Sequence, residues 1–492
     1  LTERHILSKS TFLRGVNCKK SLYLNAYQSE LRDPLDESAK RRMLEGRRVG
    51  ELARERFPGG VLVQPGAPFN VKAALARTQE LIKGGTSVIY EAALQADGVL
   101  AFVDILVRGD GGWRLYEVKS TTKVKEEHLL DVALQVHLLK RSGLDIEEAA
   151  VLHINRDYLR QGELDLQALY TPESVFEAVN EVLPAVAAEI EKCKATLGGG
   201  EIPEIGIGPH CTDPVRCDFY GHCWAHIPIP SVFDVSYLGA KKYDLYERGI
   251  VRIEDIPDDF PLSKRSSFHV ESHKAWRETV DRSAIRTFLD DLAYPLYFLD
   301  FETFSLPIPP FDDARPYLQI PFQYSLHIQR APGAEVEHSG FLAEAGTDPR
   351  LPLLERLLAE TEGSGSIVVY SMAFEKTRLR ELAEAFPTHA NALADRIDRL
   401  EDLMVPFRER HLYKPEMGGS YSIKAVLPAL VPDLSYEGLE ISDGTMASDA
   451  YLDLWDETDP RRIERVRDAL WEYCKLDTLA MVRILERLYQ VV

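Results

Sequence analysis

Residues 99–120, VLAFVDILVRGDGGWRLYEVKS, constrain the chain more than any other stretch. Two apolar runs flank RGDGGWR, where Asp-Gly and Gly-Gly supply the positive φ of a hairpin. Side chains two apart on a strand share a face, so Glu117 and Lys119 project together. Asp104 is the one charge in the preceding run, and hairpin pairing carries it toward Glu117. Two carboxylates and a lysine therefore converge at one end of a sheet. Burying them is costly unless they pair or bind a cation. Carboxylate oxygens suit Mg²⁺ or Mn²⁺, which polarises a phosphodiester and acidifies a bound water. Lys119 then orients that water or neutralises transition-state charge. Glu-x-Lys alone is more often a solvated strand edge; Asp104 and a following helix bearing Gln135 favour a site.

This arrangement resembles the PD-(D/E)XK nucleases, specifically the RecB-like group that includes the CRISPR-associated iron–sulfur exonucleases. The resemblance implies catalytic roles for Asp104, Glu117 and Lys119. It implies that Gln135 touches DNA or the site, and that Glu91, in VIYEAAL, is an acidic, metal-facing position. Many relatives carry a metal-binding histidine in an early helix. Here EGRRVGEL puts Gly50 at that place, so the ligand is missing or replaced by Glu51 or Glu45.

The chain has six cysteines. Three stand at even spacing in CTDPVRCDFYGHCW (Cys211, Cys217, Cys223), and Cys18 stands in FLRGVNCKKSLYL. Disulfides are disfavoured in a cytosolic enzyme. Zinc sites usually show Cys-x-x-Cys knuckles, which are absent; four thiolates without knuckles fit a 4Fe–4S cluster better, with zinc as the alternative. The same nuclease group places one cysteine before its core and three after it, over about residues 1–228. The implied cluster is a clamp closing a loop of roughly 190 residues. Cys193 and Cys474 read as plain buried thiols, and His210 and His222 as ordinary loop histidines.

YFLDFETF repeats the first pattern on another strand: Asp300 and Glu302 share one face. A last helix over roughly 460–490 carries an apolar stripe through Leu470, Tyr473/Cys474, Asp477 and Met481. Asp477 thus lies on a face that should be buried, where it needs a cation or a donor, and Tyr473 is one turn before it. The combination resembles the tyrosine-bearing subclass of DnaQ-like (DEDD) 3′–5′ exonucleases, in which four acids hold two metals and the tyrosine positions water. Asp300, Glu302 and Asp477 match three of the acids. Glu375, in IVVYSMAFEKTRL, stands where the family has aspartate. Asp402 reads as a cap or surface residue, and no further cation is expected beside the acids. GSYSIKAVLPALVPDLSY and QIPFQYSLHI also resemble an uncharacterised bacterial family in which this domain follows a RecB-like nuclease.

A length of 492 residues accommodates two to four domains. The expected architecture is α/β multidomain. A PD-(D/E)XK nuclease domain with its iron–sulfur clamp spans 1–228, a helical connector 229–290, and a ribonuclease-H-like exonuclease domain 291–492. A helix is expected over 172–196. The net charge of −20 argues against a uniformly nucleic-acid-binding surface, but phosphate contacts need only a local basic patch. Residues 1–60 supply one, running from Lys9 to Arg56 against eight acids. No run reaches membrane-span length and no signal-peptide apolar region is present, so a cytoplasmic protein is expected. The expected activity is metal-dependent hydrolysis of DNA at two nuclease-type sites, using Mg²⁺ or Mn²⁺, in DNA processing, repair or defence. The alternatives are an RNA-degrading enzyme and a nucleic-acid or partner-binding protein with degenerate sites.

Overall fold

The computed structural model describes residues 6–63 and 70–492. They form two compact units. The first is the described part of Leu1–His226 with Leu306–Leu318; the second is Ile227–Ser305 with Gln319–Val492.

In the first unit, strands β1 (Leu7–Ser8), β2 (Val61–Leu62), β3 (Val88–Ala96), β4 (Val99–Arg108), β5 (Trp113–Lys119), β6 (Ile146–Ile154) and β7 (Tyr170–Ser174) make one sheet. Its order is β2-β3-β4-β5-β6-β7, and β1 pairs in parallel with β4. Asp97 and Gly98, both at positive φ, turn β3 into β4. Such a two-residue turn matches the twist of its strands. The expected hairpin joins β4 to β5, closed by Gly109 N–H donating to Gly112 C=O at 2.7 Å. β5 and β6 run parallel, so a crossover is required; helix Glu126–Arg141 supplies it. That helix buries Val132, Leu134 and Leu138 against Leu106, Leu115, Val151 and Ile190.

The helix expected over 172–196 starts later, at Phe176, and ends at Gly198. Residues 170–174 pair with β6 instead; the strand ladder satisfies their backbone groups before the helix begins. Leu306–Leu318 belongs to the first unit because its backbone is bonded there: Asp313 N–H donates to Arg160 C=O at 2.8 Å, and Arg160 N–H to Ala314 C=O at 3.1 Å.

The second unit contains β8 (Thr279–Val280), β9 (Leu296–Phe304), β10 (Ile320–Gln329), β11 (Val336–Leu342), β12 (Ile367–Val369), β13 (Leu400–Asp402) and β14 (Leu412–Tyr413). Its main sheet has the order β11-β10-β9-β12-β13. β11 and β9 each run antiparallel to β10 between them, while β12 and β13 run parallel to β9. Helix Pro460–Val491 buries Leu470, Cys474, Met481 and Leu485. The stretch read as a separate connector is part of this unit. Its own cluster, built around Val232, Leu245, Ile253 and Ile256, is small for an independent core, and β8 pairs with β14 from the later chain. Among the described residues, no helix is long and apolar enough to cross a membrane.

Candidate functional site

The first unit gathers its charges at the end of β5. Asp104 Oδ2 accepts from Val118 N–H at 2.7 Å, and Lys119 Nζ donates to Glu117 Oε1 at 2.7 Å. Gln135, fully buried on the crossover helix, donates to Glu117 Oε2 at 2.7 Å. Two residues not foreseen complete the cluster. Asp131 stands one turn before Gln135 and accepts from Lys119 at 2.5 Å. Lys9 opens helix Lys9–Asn17 and reaches Glu117 Oε1 at 2.6 Å and Asp131 Oδ1 at 3.2 Å. Asp131 was detectable as the one acid on an apolar helix face, four residues from Gln135; nothing local marks Lys9.

Burial, then the nearby Glu117, pushes Asp104 up to about 8. Burial also opposes ionisation of Glu117, but attraction by Lys9 and Lys119 outweighs it and holds this carboxyl below the usual range. Glu91, at φ +55, contributes to the charge felt by Asp104 and is itself paired with Arg54 at 2.7 Å. A Cβ on Gly50 would meet nothing within 4 Å. Burial raises Glu45, and the charges acting on it are Arg48 and Arg41 rather than the acid cluster. Gln135 Oε1 is buried without a hydrogen-bond donor. A buried acceptor left alone costs about 1–3 kcal/mol, which makes Gln135 Oε1 a candidate ligand atom.

Cys18, Cys211, Cys217 and Cys223 line one cavity, together with His210. Cys18 caps helix Lys19–Tyr27, its Sγ accepting from Ser21 N–H at 3.5 Å, and Ser21 Oγ lies 3.4 Å from Cys217 Sγ. Asp218 locks the later loop onto the N-terminal helices through Arg14 Nη2 (2.9 Å) and Arg32 Nε (3.0 Å). Burial raises the Cys18 and Cys223 thiols, and the neighbouring thiols raise them further.

In the second unit Asp300 and Glu302 project from the central strand toward Asp477 on the last helix. Asp300 is driven well above the carboxylate range by burial, then by Asp477, Glu302 and Glu375. Glu302 is raised likewise by burial and Asp477. Tyr436 OH donates to Asp477 Oδ1 at 2.6 Å, and Tyr473 donates to the same carboxyl, which burial nonetheless lifts to about 6. Glu375 lies in the first turn of helix Met372–Ala385, 2 % exposed. Its Oε2 has no hydrogen-bond partner, and burial pushes it up to about 8. Glu302, Glu375 and Asp477 are thus buried, Asp300 is half-buried, and the charges of the other three all bear on Asp300.

Several residues here escaped the sequence. Cys474 is more than a plain core thiol: donor atoms of Asp300, Glu302 and Cys474 lie within 4.8 Å of one another, close enough to hold a metal ion. Tyr436 and Lys424 both stand in GSYSIKAVLPALVPDLSY, though neither was read as part of a site, and Lys424 corrects the expectation that no cation attends the acids, since its charge lowers both Glu302 and Asp477. Gly444 lets a helix N-terminus approach, because a Cβ there would sit 3.3 Å from Glu302 Oε2. Asp402 acts as a cap, accepting from Ser371 N–H and Met404 N–H, both at 3.1 Å.

Fold and site together define a multidomain α/β protein with a buried acid centre able to hold a metal ion. Residues 297–422 match a family described as a domain of unknown function, DUF2779, a span that contains Asp300, Glu302 and Glu375. The uncharacterized protein MG366 homolog of Mycoplasma pneumoniae is 26 % identical over 211 residues, 38 % of this chain and 31 % of its own length. Uncharacterized protein UU173 of Ureaplasma parvum is 27 % identical over 143 residues, 24 % of this chain and 20 % of its own length. The chain therefore spans less than a third of either of these curated relatives.

Proposed function

We propose that this protein is a divalent-metal-dependent nuclease hydrolysing phosphodiester bonds in DNA, with a PD-(D/E)XK-type site in the first unit and a DEDD exonuclease-type site in the second. The observation that carries the reading is the grouping of Asp300, Glu302 and Cys474 donor atoms within 4.8 Å, with Asp477 and Glu375 near enough to raise Asp300 further. So many buried acids are costly without a cation. The ribonuclease-H-like assignment is supported by the strand order, with the acid-bearing β9 central, antiparallel to β10 on one side and parallel to β12 on the other.

A bound Mg²⁺ or Mn²⁺ supplies Lewis acidity and a more acidic water. Asp300, Glu302, Glu375 and Asp477 would hold it in the second unit, with Tyr473 and Tyr436 orienting Asp477 as hydrogen-bond donors. Both hydroxyls are kept protonated by burial and by Asp477. Asp104 and Glu117 would hold the metal in the first unit, where Glu91 and the free Gln135 Oε1 add donors. Lys119 places a positive charge beside the reacting phosphate.

The four thiols line one cavity, which supports a shared 4Fe–4S cluster, with zinc as the alternative. Thiolate-only ligation suits iron–sulfur chemistry.

The test is a Mn²⁺ and Mg²⁺ titration of the full chain on end-labelled single- and double-stranded DNA and on RNA of the same sequence. Asp300→Ala should stop stepwise release from a 3′ end, and Lys119→Ala should lower the remaining cutting by about two to three orders of magnitude. Cutting untouched by both substitutions, or by a chelator, would refute the reading. Preference for the RNA strand would move the substrate to RNA.

A further inference from the structure

The second unit has a basic, aromatic pocket that the acid centre does not use. Tyr237, Arg265 and Phe268 reach it from the early part of the unit, and Arg408, Arg410 and Tyr421 from the later part. In a chain with 78 acids against 58 basic residues, its charge is unusual. The groups acting on Arg410 are Arg265, Tyr413 and Tyr237, none of them a carboxylate. Arg410 Nη2 donates to Arg265 C=O at 2.9 Å, which ties the Arg410 side chain to the backbone of Arg265. Two guanidiniums held side by side without an acid favour an arriving anion.

The aromatic residues are placed for stacking. Tyr237 is 52 % exposed, with the Arg265 guanidinium 4.8 Å from its ring and its hydroxyl 2.9 Å from that of Tyr421. Arg410 lies 4.0 Å over Phe268. Tyr237 (φ +58) and Arg410 (φ +62) both adopt left-handed backbone, a conformation that costs bulky residues about 1–2 kcal/mol and gathers at functional sites. The floor is equally specific. A Cβ on Gly419, at φ +73, would sit 2.5 Å from Ser236 Oγ and collide with His269. His269 Nδ1 accepts from Ser236 N–H at 3.1 Å, so the neutral ring carries its proton on Nε2.

Hydrogen bonds run from the pocket toward the acid centre. Tyr421 C=O accepts from Tyr370 OH at 2.7 Å. Arg408 donates to Asp402 Oδ2 at 3.3 Å, and Asp402 accepts from Ser371 N–H at 3.1 Å, at the start of the helix that carries Glu375.

We infer that this pocket anchors single-stranded nucleic acid, with phosphates on Arg265 and Arg410 and an unpaired base stacked on Tyr237. It rests on the nuclease reading of the acid centre and names that site's substrate as an unpaired end. Stacking requires a base free of its partner, so a blunt duplex offers nothing to Tyr237.

Binding of the full chain to fluorescein-labelled (dT)20 and to a blunt duplex of 20 base pairs, by anisotropy in EDTA at rising NaCl, tests this without cleavage. Tyr237→Ala and Arg265→Glu should each weaken (dT)20 binding about tenfold. Arg265→Glu should also flatten the salt dependence by about 0.7 per lost phosphate contact, and Tyr237→Ala should not. Arg265→Lys should keep most of the affinity, which separates charge from misfolding. Wild-type affinity and salt slope in both variants, or equal losses on duplex and (dT)20, would overturn the inference. Asp300→Ala should bind (dT)20 normally, so failure of catalysis and failure of this pocket are read separately.

Discussion

Lys9 Nζ lies 2.6 Å from Glu117 Oε1 across 108 residues of chain, and Lys119 Nζ lies 2.7 Å from the same oxygen. Two ammonium groups thus share one buried carboxylate and also contact Asp131. With both in place, the two acids are balanced without a metal.

Removing Lys9 should expose that balance. The Lys9 side chain is 25 % exposed and Glu117 only 2 %, so the pair falls between a surface and a buried ion pair. Lys9→Met should cost about 2 kcal/mol in EDTA, and Mn²⁺ should recover part of it by standing in for the lost cation. Urea melts of the full chain with and without metal measure both. Equal stability of variant and wild type in EDTA would show that the contact carries no weight.

The acid centre should make stability depend on pH with a definite sign. Burial pushes Glu375 up to about 8 in the folded chain, from the 4.5 ordinary for the free side chain. The folded chain therefore holds a proton that the unfolded chain has released, and stability falls as pH rises between these values. Glu375→Gln has no such proton, so its melting temperature relative to wild type should climb from pH 5 to pH 8 in EDTA. The slope is at most about 1.4 kcal/mol per pH unit. A flat difference across that range would place Glu375 in a solvated setting.

Metal should act in the opposite sense. Asp300 and Glu302 are also raised well above their ordinary values, so a divalent cation must displace protons to bind. The thermal shift produced by Mn²⁺ should be larger at pH 8 than at pH 6, and should largely vanish in Asp300→Asn. Scanning fluorimetry at fixed Mn²⁺ reads both effects. A shift larger at pH 6, or intact in the variant, would point to another metal site.

The thiol cavity predicts a colour. Anaerobically purified protein should be brown, with about four iron and four sulfide per chain. Cys18→Ser should lose the absorbance and loosen the first unit, since Cys18 is the only one of the four from the N-terminal helices. Stoichiometric zinc without iron would instead assign the thiols to zinc.

Local periodicity made much of this legible. A two-residue repeat puts Glu117 beside Lys119 and Asp300 beside Glu302, and a helical repeat puts Asp477 on the buried face of the last helix, one turn from Tyr473. Each is a lone charge on an apolar face, which the sequence displays directly. The Gly-rich turn after Arg108 likewise announces the hairpin that brings Asp104 to β5. What the sequence could not display is which distant groups neutralise those charges. Lys424 is a lone cation in the apolar helix Ile423–Leu430 and Lys9 opens another helix, but nothing in either stretch, or around Tyr436, names the acids they meet once the chain is folded. The same holds for residues 306–318, which follow β9 in sequence yet belong to the first unit through their hydrogen bonds with Arg160. A buried carboxylate needs a partner but does not specify which one, and that choice is made by long-range chain closure, for which no short window of sequence carries the information.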